Sequence, residues 1–160
     1  MIFSALISVW GIFEAFHGFT LSYITNIISL LVCISLLIYS FYGFNAKKNQ
    51  EAFFISAIIL YIILIIFGLF ATAIDFKNPV SILTVIMLVS SIFFLREYKR
   101  SFKVANFAML IVIISGFIVL VFNVMGGMPW FIALKYIIIP VTIALTYFER
   151  SQRGKYDFAI

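Results

Sequence analysis

Apolar runs long enough to cross a bilayer, divided by short polar breaks, leave this chain few ways to fold. A helix needs about 20 apolar residues to span the hydrocarbon, with a usual range of roughly 17–25. Residues 21–44, 52–74, 79–95, 104–125 and 129–148 meet that requirement. The breaks between them have turn chemistry. Asn45, Lys47, Lys48, Asn49, Gln50 and Glu51 form one polar loop, and Asp75, Lys77 and Asn78 precede Pro79. Arg96, Glu97, Lys99 and Arg100 form a charge cluster, and Gly126 and Gly127 lead into Pro129. Gly and Pro punctuate helices because one is conformationally loose and the other lacks an N–H.

Composition agrees. Of the 160 residues, 65% are hydrophobic and 11% charged, against about 25% charge in a soluble domain. The net charge of +5 comes from clusters between apolar runs. A nucleic-acid binder instead needs a solvated basic face, so no nucleic-acid partner is expected. Cys33 is the one cysteine, which rules out an internal disulfide and a cysteine-rich metal cage. The first residues lack a basic n-region and a small-x-small cleavage site, so they read as a retained segment rather than a signal peptide.

That segment, 1–16, decides between six spans and five. As a helix it covers about 24 Å at 1.5 Å per residue. Its apolar residues run all round, and Ser4, Ser8, Gly11 and Ala15 share one face, as suits close helix packing. An interfacial helix needs a strongly charged face, which this one lacks. The expectation is an all-α integral membrane protein, a single domain over 1–160 with six transmembrane helices, or five if 1–16 lies in the interface.

Charge sets the orientation. Lys47, Lys48, Arg96, Lys99, Arg100, Lys103, Arg150, Arg153 and Lys155 are nine of eleven basic residues, and alternating spans put them all on one side. The positive-inside rule makes that side cytoplasmic, with a basic cytoplasmic tail over 149–160. A prokaryotic cytoplasmic membrane is the expected home. The opposite turns centre near Gly18, Lys77 and Gly127, a spacing that suggests three helical-hairpin repeats. In span count and hairpin length alone, the plan resembles the small six-span acid-resistance membrane proteins of the HdeD type. No motif is shared, so the resemblance carries no function over.

Polar groups in hydrocarbon need an internal partner. Lys135 lies about six residues into the last expected span. It can line a solute path, pair with Glu14, or snorkel to the headgroups on its four-carbon stem. Glu14 and His17 stand three apart and share a helical face. Glu-x-x-His is a di-iron ligand step, but such a site needs two steps and two further glutamates, and His17 is the sole histidine. Glu14, His17, Asn26, Asp75, Asn123 and Lys135 thus form a candidate outer vestibule or ion pair. Ser and Thr stripes mark spans two, four and six: Ser29 and Ser40, then Ser81, Thr84 and Ser91, then Thr142 and Thr146. Such residues mostly bond their own backbone or pack closely. Pro140 frees a carbonyl in mid-span. Trp130, Tyr23, Tyr42, Tyr98 and Tyr147 read as an aromatic belt.

No catalytic residue set, phosphate-binding glycine loop or haem-ligating histidine pair is present in the sequence, so neither an enzyme nor a cofactor is expected. Two functions remain. One is a non-catalytic accessory or structural subunit, or a stress or immunity-type factor, which works by helix packing with another membrane protein or a second copy of itself. The other is a small channel or carrier subunit for an ion or small solute.

Overall fold

The computed structural model describes residues 6, 9–13, 23–42, 50–71 and 77–156. They form α1 (Tyr23–Tyr42), α2 (Gln50–Ala71), α3 (Pro79–Glu97), α4 (Phe102–Met125), the single turn α5 (Trp130–Ala133) and α6 (Lys135–Tyr156). Residues 9–13 are helical as well, and the described residues contain no strand. The fold is all-helical. Among the described residues, three helices are long and apolar enough to cross a membrane: Glu51–Phe70, Pro79–Glu97 and Phe102–Met125. A shorter apolar stretch, Ile27–Ser40, lies in α1.

The helix ends follow from local sequence. Asn78 caps α3, its side-chain oxygen accepting from the Val80 N–H at 3.0 Å, and Pro79 occupies the first turn, where its missing N–H removes no intrahelical bond. Ser101 caps α4. At the far end of α4, the Met128 N–H donates to Asn123 O at 2.9 Å and the Gly127 N–H to Val124 O at 3.0 Å. This bond pair is a Schellman closure, and Gly127 takes φ +91° within it. An L side chain there is strained by roughly 1–2 kcal/mol. Gly127→Ala is expected to lower unfolding stability by about 1 kcal/mol, read by thermal melting in detergent, while Gly126→Ala, at φ −77°, should cost less.

Within the last expected span, 129–148, the helix is interrupted at one residue, Leu134, between α5 and α6. Leu134 keeps helical angles (φ −55°, ψ −26°), its N–H donates to Trp130 O and its carbonyl accepts from the Ile138 N–H, so the chain continues in nearly the same direction. Lys135 follows the interruption, at the start of α6. Pro140, inside α6, has no N–H to offer Tyr136 O, the carbonyl four residues back. That freed carbonyl turns against Gly116 of α4, so closely that a Cβ on residue 116 would overlap the oxygen. Gly116 is where α4 and α6 approach at backbone level. The far end of α6 also departs from a simple tail: the helix continues through Tyr156.

Packing is most extensive between α1 and α2 and between α3 and α4. Those pairs are joined at the cation-rich end, whereas the expected hairpins centre on turns at the other end. α4 packs on α6, α2 on α3, and α1 on α6. The core is filled by Val32, Leu36, Phe54, Ile58, Met87, Phe94, Val112, Val119, Ile139 and Ile143. Near the start of the chain, Gly11 is buried, and a Cβ on it would lie 2.6 Å from Cys33 Sγ. Trp10 and Phe13 stay exposed.

Candidate functional site

The ion pairs gather where α2 begins, α3 turns into α4, and the middle of α6 passes. Glu51, in the first turn of α2, is the centre. Its Oε1 accepts from the Tyr98 hydroxyl at 3.1 Å and contacts the Lys99 ammonium. Its Oε2 lies 3.6 Å from Arg150 Nη2. Tyr147, one turn before Arg150, donates its hydroxyl to the Tyr98 carbonyl at 3.1 Å. Two segments far apart in sequence, 98–99 and 150, are thereby tied to one carboxylate.

Aromatic rings form the floor beneath these charges. Phe54, one turn after Glu51, is fully buried. Its ring centroid lies 5.7 Å from that of Tyr39, 6.1 Å from Tyr98 and 6.4 Å from Tyr147. Phe94 meets Tyr147 edge-on at 5.1 Å, and Phe102 stacks on Tyr147 at 5.6 Å. The Arg150 guanidinium sits 5.8 Å from the Phe54 centroid and 6.0 Å from that of Tyr98, within the range of cation–π attraction. Arg150 Nη1 is shut from water and has no hydrogen-bond partner among the described residues. A cleft of about 430 Å³ opens beside it, lined by Tyr98, Lys99, Phe102, Tyr147, Arg150 and Ser151.

The hydrogen bond to Glu51 raises the pKa of Lys99 above the ordinary lysine value. Burial, then the bond to Glu51, raises that of Tyr98. Both groups hold their protons more tightly folded than unfolded. Their stabilising contributions are complete below the ordinary Lys and Tyr range and are lost as pH rises through the raised values. The melting temperature is therefore expected to stay level through neutral pH and to fall in strong alkali, with a shallower alkaline fall in Lys99→Gln.

The six residues singled out from sequence stand differently. Glu14, His17 and Asp75 lie outside the described residues. Asn26 lies in α1, its side chain outside the described set. Asn123, in the last turn of α4, is half-buried. Lys135 is half-buried, its ammonium 5.8 Å from the ring centroid of Tyr136. All the described candidates lie toward the helix ends opposite the Glu51 cluster. No group of three or more His, Cys, Asp or Glu suited to a metal occurs among the described residues.

The stripes of hydroxyls turn onto their own helices. Ser29 donates to Thr25 O, Ser40 to Leu36 O, Thr84 to Val80 O, Thr142 to Ile138 O and Thr146 to Thr142 O, all at 2.7–3.0 Å. Ser81 and Ser91 are buried without a hydroxyl partner. The aromatic belt divides: Trp130 is 62% exposed, as a belt residue should be, while Tyr147 is 5% exposed and belongs to the charged cap. By sequence, Lys99 and Arg150 only orient the chain and Glu51 belongs to a polar loop, whereas the structure places Glu51 in the first turn of α2. The signal available was a carboxylate at the head of an apolar helix, on the side that carries most of the cations.

Fold and site together define an all-helical protein with membrane-length helices, closed at one end by an ion and aromatic cap. No family model, curated protein or solved structure matches the chain.

Proposed function

We propose that the chain is a non-catalytic, six-span protein of a prokaryotic cytoplasmic membrane, an accessory or structural subunit or a stress or immunity-type factor that acts through helix packing. Its C-terminus and the Glu51 cap face the cytosol under the positive-inside rule. Its partner is another membrane protein or a second copy of the chain. One observation carries this reading: five hydroxyls of the stripes, those of Ser29, Ser40, Thr84, Thr142 and Thr146, bond their own backbones. Hydroxyls used in this way allow close helix approach and offer little to a passing solute. The exposed stripe Phe107, Leu110, Ile114, Phe117 and Val121 along α4 suits lipid or a partner helix.

A small channel or carrier subunit is the second reading. The interruption at Leu134 and the carbonyl freed by Pro140 favour it, because interrupted helices build transporter sites. Its vestibule would use Glu14, His17, Asn26, Asp75, Asn123 and Lys135. Purification in mild detergent together with flux assays in liposomes separates the two. The accessory reading expects a stoichiometric partner or self-association and no flux, with Lys135→Leu without effect. Solute flux by the purified protein that Lys135→Leu abolishes, with assembly intact, would overturn it.

A further inference from the structure

We propose that the cleft between the α3–α4 turn and residues 147–151 of α6 binds a phosphate group. Two cations, Lys99 and Arg150, meet a single carboxylate, Glu51, at its edge, so the cluster retains positive charge. The Lys99 ammonium has three N–H groups, more than its contact with Glu51 uses, and its side chain is 59% exposed. The guanidinium carbon of Arg150 lies over the rings of Phe54 and Tyr98 and its Nη2 faces Glu51, while Nη1 has no acceptor among the described residues. Nη1 and the Lys99 ammonium are then the two charged donors that a phosphate oxyanion at this edge would accept from.

The lining adds to this positive character. Phe102, the first residue of α4, lines the cleft, so the positive end of that helix lies beside it. Ser151 adds a hydroxyl. Arg100 and Lys103, both exposed, flank the turn and raise the local concentration of anions. At about 430 Å³ the cleft exceeds a bare ion and accommodates an esterified phosphate. Such a group comes either from a phospholipid headgroup at the membrane face or from phosphate in solution.

The test uses the full-length protein in detergent. Native mass spectrometry measures retention of phosphatidylglycerol against diacylglycerol, and thermal melting measures protection by inorganic phosphate against chloride at equal ionic strength. Selective retention of phosphatidylglycerol without phosphate protection identifies the lipid source. Protection by inorganic phosphate alone identifies the soluble one. In either case Arg150→Gln is expected to weaken binding about tenfold or more, and Arg150→Lys less. Equal retention of both lipids with no phosphate protection would overturn the site, as would wild-type binding by a folded Arg150→Gln protein. If that variant fails to fold, the exposed Lys99→Gln decides: weakened binding supports the site and unchanged binding refutes it.

Discussion

Gly116→Ala is expected to destabilise the protein by about 1–3 kcal/mol, the usual range for overpacking a filled core. The added methyl would overlap the carbonyl oxygen of Tyr136, which is backbone and cannot rotate away like a side-chain tip. The oxygen lies there because Pro140 gives it no N–H within α6. The expected effect therefore depends on residue 140. In a Pro140→Ala background the restored N–H draws the carbonyl back into its own helix, and Gly116→Ala should become milder. A double-mutant cycle read by thermal unfolding in detergent should give a coupling of about 0.5–3 kcal/mol. Strict additivity of the two changes would show that the freed carbonyl and the glycine are independent.

Phe54→Ala is expected to cost about 3 kcal/mol, the lower end for deleting a buried phenylalanine. The lower end applies because lipid is itself apolar, so the cavity and the lost ring contacts dominate over transfer from water. Phe54 is fully buried and touches three other rings. It also supports the Arg150 guanidinium, so its removal should loosen the pairing of Arg150 with Glu51. Phe54→Leu keeps most of the volume and should cost less. A Phe54→Ala protein that melts like the wild type would mean that the aromatic floor does not hold the cap together.

Glu51 shows why the site was less legible than the helices. Periodicity and run length report on a single segment, and they located α2, α3 and α4 to within a few residues of 52–74, 79–95 and 104–125. The partners of Glu51 come from positions 98, 99 and 150, and no local pattern marks a contact across such separations. Tyr147 illustrates the same limit. Near a span end it reads as a belt residue, yet the turn between α3 and α4 covers it and accepts its hydroxyl. The interruption at Leu134 was equally hidden, because Pro140 announces a defect in a helix without saying on which side the chain yields.

The chain alone dictated helices, among them the apolar runs that become α2, α3 and α4, and the gathering of its charges between such runs. Those properties follow from hydrocarbon's refusal of unpaired backbone and of charge, which each segment must satisfy by itself. Packing settled what segments cannot: which helices lie nearest, that residue 116 must be glycine against a proline-freed carbonyl, and that one carboxylate gathers the cations of two distant segments. Such features arise only when surfaces meet in three dimensions, since shape and charge complementarity belong to pairs of elements and not to either one.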